Sequence, residues 1–122
     1  MSKFVIRTVS SGIKFDLNAA NGESIATSEV YKNEASCRKG IQSVRKNAPI
    51  ARIENQTEPG WKKMSHPKFE MYRDRAGAFR FRLKARNGEI VAISEGYTTK
   101  AGCLDGIDSV QRNAPSAEVV EA

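Results

Sequence analysis

Apolar and basic residues alternate one by one near residue 80, a pattern that predicts a half-buried β-strand. The alternating residues are Phe79, Arg80, Phe81, Arg82, Leu83, Lys84, Ala85 and Arg86. A period of two places the apolar side chains on one face of a strand and the basic ones on the other. An earlier segment repeats the apolar half of this pattern at Ile13, Phe15, Leu17 and Ala19. We therefore expect two similar strands, each flanked by shorter strands.

Further along each half of the chain, the apolar spacing changes to that of a helix. Apolar residues recur at i, i+4, i+7 and i+11 in two sets: Cys37, Ile41, Val44, Ala48 and Cys103, Ile107, Val110, Ala114. This spacing lines one face of a helix. Asn33 and either Thr98 or Thr99 are the expected N-caps. An Asn-Ala-Pro sequence ends each helix, because the residue before proline is pushed out of the helical region. A short strand is expected after each proline.

These similarities belong to one internal repeat, in which residues 15–51 match residues 81–117 at a constant offset. The matched positions include Asn21, Gly22, Tyr31, Asn87, Gly88 and Tyr97. Each Asn-Gly pair separates two strand-like runs and predicts a tight type I′ hairpin, since both residues tolerate a positive φ. The beginnings of the copies match only if the second copy has one extra residue near residues 74–77, as expected at a turn. Each copy is therefore predicted to be βββαβ.

The repeat divides the chain into a first copy at residues 1–55, a linker at residues 56–67 and a second copy at residues 68–122. A chain of 122 residues with 39% hydrophobic residues is long enough for one core and short for two independent ones. We expect one compact α+β domain. No window approaches the ~18 to 20 apolar residues of a membrane span. Because the first residues lack a secretory signal, we expect a cytoplasmic protein that does not associate with membranes.

Few residues are available for metal or cofactor chemistry. Cys37, Cys103 and His66 are the only cysteines and histidine, and they cannot complete a four-ligand zinc site. The chain lacks the glycine-rich motifs of nucleotide-binding loops and the GxSxG nucleophile motif. We therefore expect no metal and no cofactor. The cysteines lie on the apolar helix stripes, which favours core packing over a redox or nucleophilic role.

The assembled repeat resembles the YegP-like family of small bacterial proteins. The resemblance lies in residues 68–72, 79–85, 87–89, 94–97, 100–102 and 106–110, and it extends over nearly all of both copies. It implies two βββαβ units that form one pseudo-symmetric sheet, exchange their last strands and pack their helices on one face. It implies no activity. One chain would close this pseudo-dimer by itself, and we therefore expect a monomer.

Positive charge is the clearest candidate for function. The net charge is +6, and basic residues concentrate on one hairpin of the second copy. The candidate residues for an anion or a nucleic acid are Arg80, Arg82, Lys84, Arg86 and Tyr72. The alternative is that Glu70, Asp74 and Glu89 pair with the arginines across the strands, which leaves an ordinary solvated face.

Two further features have a structural and a functional interpretation. Trp61, the only tryptophan, lies in the linker and either packs on the neighbouring surface or anchors a partner. A Ser-Glu-x-Tyr sequence follows the third strand of each copy, at residues 28–31 and 94–97. It is interpreted as a packed junction, or as a reaction centre if a base activates the serine.

These observations favour a non-enzymatic binding or interaction module whose ligand the sequence does not reveal. The first alternative is a protein that binds an anion or a nucleic acid through the basic sheet face. The least favoured is an enzyme centred on the Ser-Glu-x-Tyr junctions. The partner is left open between a protein and a nucleic acid.

Overall fold

The computed structural model describes all 122 residues and confirms the βββαβ order in both copies. The first copy consists of β1 (Lys3–Val9), β2 (Gly12–Asn18), β3 (Ser24–Thr27), α1 (Glu34–Asn47) and β4 (Arg52–Asn55). The second consists of β5 (Lys68–Arg73), β6 (Phe79–Lys84), β7 (Ile90–Ile93), α2 (Lys100–Asn113) and β8 (Glu118–Glu121). Each helix has 14 residues, and neither is long and apolar enough to cross a membrane.

All eight strands form one sheet, in the order β4-β5-β6-β7-β3-β2-β1-β8. The last strand of each copy lies parallel to the first strand of the other: β4 pairs with β5, and β8 pairs with β1. The copies also meet in the centre, where β3 and β7 pair antiparallel at Thr27 and Ile93. The predicted strand exchange is therefore confirmed, and neither copy completes its sheet alone.

Both helices pack on the same face of this sheet and bury the predicted apolar stripes. The eight stripe residues are at most 1% exposed. They pack against two equivalent aromatic pairs, Phe4 with Phe15 and Phe69 with Phe81, whose ring centres are 5.7 and 5.8 Å apart. Burial raises the pKa of both cysteine thiols, that of Cys103 to about 11. The cysteines therefore belong to the core, as the stripe predicts.

Two equivalent side chains tie each helix to the other copy. Arg45 of α1 donates a hydrogen bond to the carbonyl of Ala117, in the segment between α2 and β8. Gln111 of α2 donates to the carbonyls of Ala48 and Ala51, in the segment between α1 and β4, at 3.2 and 3.1 Å. Each copy thus fixes the segment that leads to the exchanged last strand of the other copy.

The hairpin turns at the Asn-Gly pairs differ from the predicted type I′ geometry. Gly22 and Gly88 have φ values of 87° and 85°, but no residue other than glycine has a positive φ, whereas type I′ requires one at the asparagine as well. The Gly22 amide donates to the Ala19 carbonyl and the Ala19 amide to the Glu23 carbonyl, at 2.9 and 2.8 Å. This is a three-residue loop, a type I turn followed by a glycine bulge. The asparagine accepts a hydrogen bond from the backbone two residues on, which explains why a local Asn-Gly signal suits either turn.

The two copies place a necessary glycine on opposite sides of one tight contact. In the first copy, Gly12 has a φ of 152°, and a Cβ there would clash with the Tyr31 carbonyl oxygen and lie 2.8 Å from Cγ1 of Val30. In the second copy, alanine replaces this glycine and glycine replaces the valine: a Cβ on Gly96 would lie 3.0 Å from Cβ of Ala78. Either arrangement leaves room for only one side chain of ordinary size.

The helices begin where the sequence predicts, since Asn33 and Thr99 are the N-caps of α1 and α2.

Candidate functional site

The face of the sheet opposite the helices is called the outer face here. Strand register places on it twelve charged residues and Tyr72, at alternate positions of six strands. Eight of the twelve are basic and four are acidic, an excess of four positive charges against a net charge of +6 for the whole chain. The basic residues are Lys3, Arg7, Lys14, Arg52, Lys68, Arg80, Arg82 and Lys84, and the acidic ones Asp16, Glu54, Glu70 and Glu118.

The structure brings four of the five residues proposed for anion binding onto this face. Tyr72 is directly opposite Arg80 in the β5–β6 pair. The guanidinium carbon of Arg82 lies 4.4 Å from the centre of the Tyr72 ring, a cation–π contact. Lys84 continues the same row, opposite Lys68. Arg86 does not belong to the row, because it lies exposed in the turn between β6 and β7.

The basic row formed by Arg80, Arg82 and Lys84 is paired with carboxylates. The alternative interpretation predicted such pairs, and two of the three acidic residues it named form them. Nε of Arg80 lies 2.6 Å from Oδ2 of Asp74, and Nε of Arg82 lies 2.5 Å from Oε1 of Glu70. Nζ of Lys84 also reaches Glu70, at 3.3 Å. Glu89 forms no such pair. Because the Arg82 pair uses only Nε, both terminal nitrogens of this guanidinium are left without a protein partner.

A buried charge cluster, which the sequence analysis missed, lies at the end of the outer face that β4 and β5 form. Its members are Glu54, Lys68 and Glu70, only 1%, 1% and 4% exposed. Nζ of Lys68 lies 2.9 Å from Oε2 of Glu54 and 3.2 Å from Oε2 of Glu70. The linker covers the cluster, since the Met64 amide donates to Oε1 of Glu54 at 2.7 Å.

Hydrogen bonding outweighs burial in setting the charges of this cluster. Burial alone would raise the pKa of Glu70, but hydrogen bonds from Arg82, Lys68 and Lys84 lower it to about 2. Burial likewise opposes ionisation of Glu54, whose pKa is nevertheless lowered by Gln56, Lys68 and the Met64 amide. Burial would lower the pKa of Lys68, whereas its two carboxylate partners raise it. All three groups are therefore ionised at neutral pH.

The first copy contributes cations to the outer face that the sequence analysis also missed. Arg7 and Lys14 face each other across β1 and β2. Nε of Arg7 lies 2.6 Å from Oδ2 of Asp16, and Lys14 forms no ion pair. These two cations line a cleft of about 240 Å³ near the centre of the sheet, together with Asp16, Thr27 and Glu95. The signal was available, because both cations alternate with buried residues of their strands.

The Ser-Glu-x-Tyr sequences lie where each third strand ends and hold that junction together. The hydroxyl of Ser28 accepts from the Phe15 amide at 2.9 Å and donates to the Glu29 carbonyl at 2.7 Å. Ser94 makes the same two contacts, with Phe81 and Glu95, at 2.8 Å each. Both serines are only 3% exposed. Their hydroxyls are occupied by the backbone, which is the structural arrangement expected of a packed junction.

Trp61 lies in the linker with 45% of its surface exposed. Its amide donates to the Glu58 carbonyl at 3.3 Å. Neither a packing role nor an anchoring role follows from these contacts, and both stay predictions.

Residues 10–55 and residues 74–121 each match the family profile described as "Domain of unknown function (DUF1508)". The chain belongs to this family. Each match covers one copy from its second strand to its last strand, and the resemblance to YegP-like proteins is confirmed. A UPF0339 protein of Pseudomonas aeruginosa is 38% identical over 117 residues, which are 95% of this chain and 93% of that protein. The UPF0339 protein YegP of Escherichia coli O157:H7 is 38% identical over 109 residues, 89% of this chain and 86% of that protein.

Solved structures and shorter relatives agree with the architecture. The solution structure of yegP from E. coli, described as a protein of unknown function, has a TM-score of 0.79 and 36% identity, and the match covers 98% of this chain and 91% of that one. A UPF0339 protein of Treponema denticola is 63% identical over 54 residues, 44% of this chain but 93% of its own length. That relative therefore has the length of one copy. None of these names assigns an activity.

Proposed function

We propose that this DUF1508 protein is a non-enzymatic binding module that acts as a monomer and holds single-stranded nucleic acid by its phosphates on the outer face. One observation carries the proposal: the strand positions on the sheet face free of helices hold eight basic and four acidic side chains. Asp74 beside Arg80 and Glu95 beside Arg7 and Lys14 reduce this excess of four positive charges but do not cancel it. An excess of cations on one exposed face attracts a polyanion whatever its sequence.

The ion pairs on this face support phosphate binding rather than oppose it. In the pairs of Arg7 with Asp16 and Arg82 with Glu70, the carboxylate contacts Nε and fixes the guanidinium. The terminal nitrogens, which form the bidentate contacts that arginine makes with phosphate, have no protein partner. The two side chains are 41% and 30% exposed, so a ligand can reach them. Asp16 and Glu70 thus position two donors at low cost in side-chain entropy.

The face offers little for reading bases. Tyr72 is its only aromatic residue, and Arg82 already lies over the Tyr72 ring. Single-stranded nucleic acids bound without sequence preference combine a basic track with a few stacking rings. We therefore expect binding that depends strongly on salt and only weakly on sequence.

The test is a titration of labelled single-stranded RNA and DNA at several salt concentrations. On single strands the logarithm of the affinity falls with the logarithm of salt, with a slope of about −0.7 per phosphate contact. Replacing three cations of the outer face, Arg7→Gln, Lys14→Gln and Arg82→Gln, should flatten that slope by about two and weaken binding.

A matched control removes the same charge from the helix side of the molecule. Arg38→Gln, Lys46→Gln and Arg112→Gln replace three exposed helix residues, two of which also have carboxylate partners. This control should keep most of the slope. Equal losses in both variants would mean that only net charge matters, and no binding at low salt would leave a protein as the partner of the module.

A further inference from the structure

Two equivalent clefts lie on the helix side of the sheet, away from the outer face. Each is formed by a helix of one copy and the second hairpin of the other copy. The Tyr31 cleft, of about 220 Å³, is lined by Tyr31, Ser36, Lys39, Ser43, Asn87 and Glu89, among others. The Tyr97 cleft, of about 250 Å³, has the equivalent residues Tyr97, Gly102, Asp105, Ser109, Asn21 and Glu23. Neither cleft exists without both copies.

Each cleft is lined by a tyrosine and by the helix glycine that the tyrosine hydroxyl covers. The Tyr31 and Tyr97 rings stack on Phe15 and Phe81, with ring centres 6.3 Å apart in both cases. The hydroxyl oxygens lie over glycines of the helices, so close that a Cβ on Gly40 would be 2.2 Å from the Tyr31 oxygen. Gly106 leaves the same space for Tyr97. Neither hydroxyl has a hydrogen-bond partner in the protein, so each offers a free donor and acceptor to a ligand.

The two copies keep this frame while they change one charge. Tyrosine, the helix glycine, the helix serine and the Asn-Gly-Glu hairpin are the same in both. Lys39 in the Tyr31 cleft is replaced by Asp105 in the Tyr97 cleft. The Tyr31 cleft therefore has a cation on its helix wall and an anion, Glu89, on its hairpin wall, whereas both charged walls of the Tyr97 cleft are acidic.

The two charges of the Tyr31 cleft are both available. Lys39 and Glu89 form no ion pair with each other or with any other residue, although they line the same small space. Burial and the nearby acidic groups, Glu89 included, raise the pKa of Tyr31, so its hydroxyl stays protonated and can donate. A cleft smaller than the ~300 to 1,000 Å³ of drug-sized sites suits a small molecule.

We propose that the Tyr31 cleft binds a small zwitterion, a free α-amino acid. Lys39 holds the carboxylate and Glu89 holds the ammonium group. The Tyr31 hydroxyl and the Asn87 side chain supply further hydrogen bonds to these two charged groups. The Tyr97 cleft rejects the same ligand, because Asp105 faces its carboxylate.

The test is an NMR titration of the full chain with three probes of matched size: L-norvaline, n-butylamine and pentanoate. Norvaline carries both charges, and each of the other two carries one. We expect saturable chemical-shift changes of the Gly40 and Gly88 amides with norvaline. With either single-charge probe, the affinity obtained from these changes should be at least tenfold weaker. Shifts that are equal for all three probes, or none with norvaline, would overturn the proposal.

Exchanging the one charge that differs between the clefts separates recognition from packing. Lys39→Asp gives the Tyr31 cleft the charges of the Tyr97 cleft and should weaken norvaline binding at least tenfold. Asp105→Lys should create a second site, reported by the Gly106 amide. Both residues are exposed on their helices, so both variants should fold, which the dispersion of the amide spectrum checks. Norvaline binding that survives Lys39→Asp unchanged would refute the assignment of the carboxylate to Lys39.

Discussion

The two ends of the outer face have the same backbone and opposite chemistry. At the end formed by β4 and β5, the linker covers Glu54, Lys68 and Glu70, which are almost fully buried. At the end formed by β8 and β1, the equivalent residues are Val120, an exposed Lys3 and Val5. A tandem of two copies has only one linker. The end that the linker covers holds charges that satisfy one another, and the end without a linker holds two half-buried valines and a solvated lysine.

The largest expected effect comes from removing the lysine at the covered end. Lys68→Met should lower the free energy of unfolding by about 3 to 5 kcal/mol, because it leaves two buried carboxylates without their shared cation. Lys3→Met changes the equivalent lysine at the open end and should cost less than about 0.5 kcal/mol. Urea unfolding of the two variants measures the difference.

The converse variant sharpens this comparison. Combining Glu54→Val, Lys68→Met and Glu70→Val gives the covered end apolar residues, and should recover most of the loss since no fully buried charge is left unpaired. Arg82 and Lys84 lose Glu70 as a partner, but both side chains reach solvent. If Lys68→Met were as mild as Lys3→Met, the cluster would not be buried as described.

Acid should destabilise the protein through the covered end. The pKa of Glu70 is lowered from 4.5 to about 2 in the folded state. A carboxylate with a depressed pKa stabilises the fold above its ordinary pKa, and this stabilisation is lost as the pH falls towards the folded value. About 3 kcal/mol should therefore disappear between pH 5 and pH 2.

Unfolding measured across this range, in the unchanged chain and in Glu70→Gln, tests the assignment. The variant should be less stable at neutral pH but lose less stability in acid. A parallel decline of both would place the acid sensitivity in another group.

The smallest effect concerns the glycine that the copies place on opposite sides of one contact. Gly96→Val brings a side chain against Ala78 and should cost about 1 to 3 kcal/mol, as overpacking does. Adding Ala78→Gly gives the second copy the arrangement of Gly12 and Val30 and should recover much of this loss.

A double-mutant cycle measures the coupling between the two positions. Additive effects would show that Ala78 is not what excludes a side chain at position 96.

The elements of the fold could be predicted because their signals are local. The periods of two and 3.6 residues, the N-caps and the prolines all act within a few residues. Each of these signals also occurs in both copies of the repeat, which supports its interpretation. The strand exchange depended on the resemblance to a family, since nothing local tells β4 which edge to join. The turn type was wrong because an Asn-Gly pair suits both a type I′ turn and a type I turn followed by a glycine bulge, and the chain adopts the second.

The candidate site was harder to predict because its contacts join distant parts of the chain. Alternation placed Arg80, Arg82 and Lys84 on one face and could have placed Arg7 and Lys14 on the equivalent face of their own copy, but only the strand order shows that the two copies share one face. The burial of Lys68 depends on where the linker runs, and polar residue types alone predict exposure. The clefts need a helix from one copy and a hairpin from the other, so no single segment carries their signal.

The parallel pairing of β1 with β8 also determines how the chain would respond to a pull on its two ends. The N-terminus precedes β1 and the C-terminus follows β8, and the strands run side by side from the Lys3–Glu118 pair to the Ile6–Glu121 pair. Tension on the termini would draw the strands in opposite directions along their length. The hydrogen bonds between them would then be sheared together instead of unzipped one after another. The strand exchange therefore also places a strand pair that resists shear between the first and the last strand of the chain.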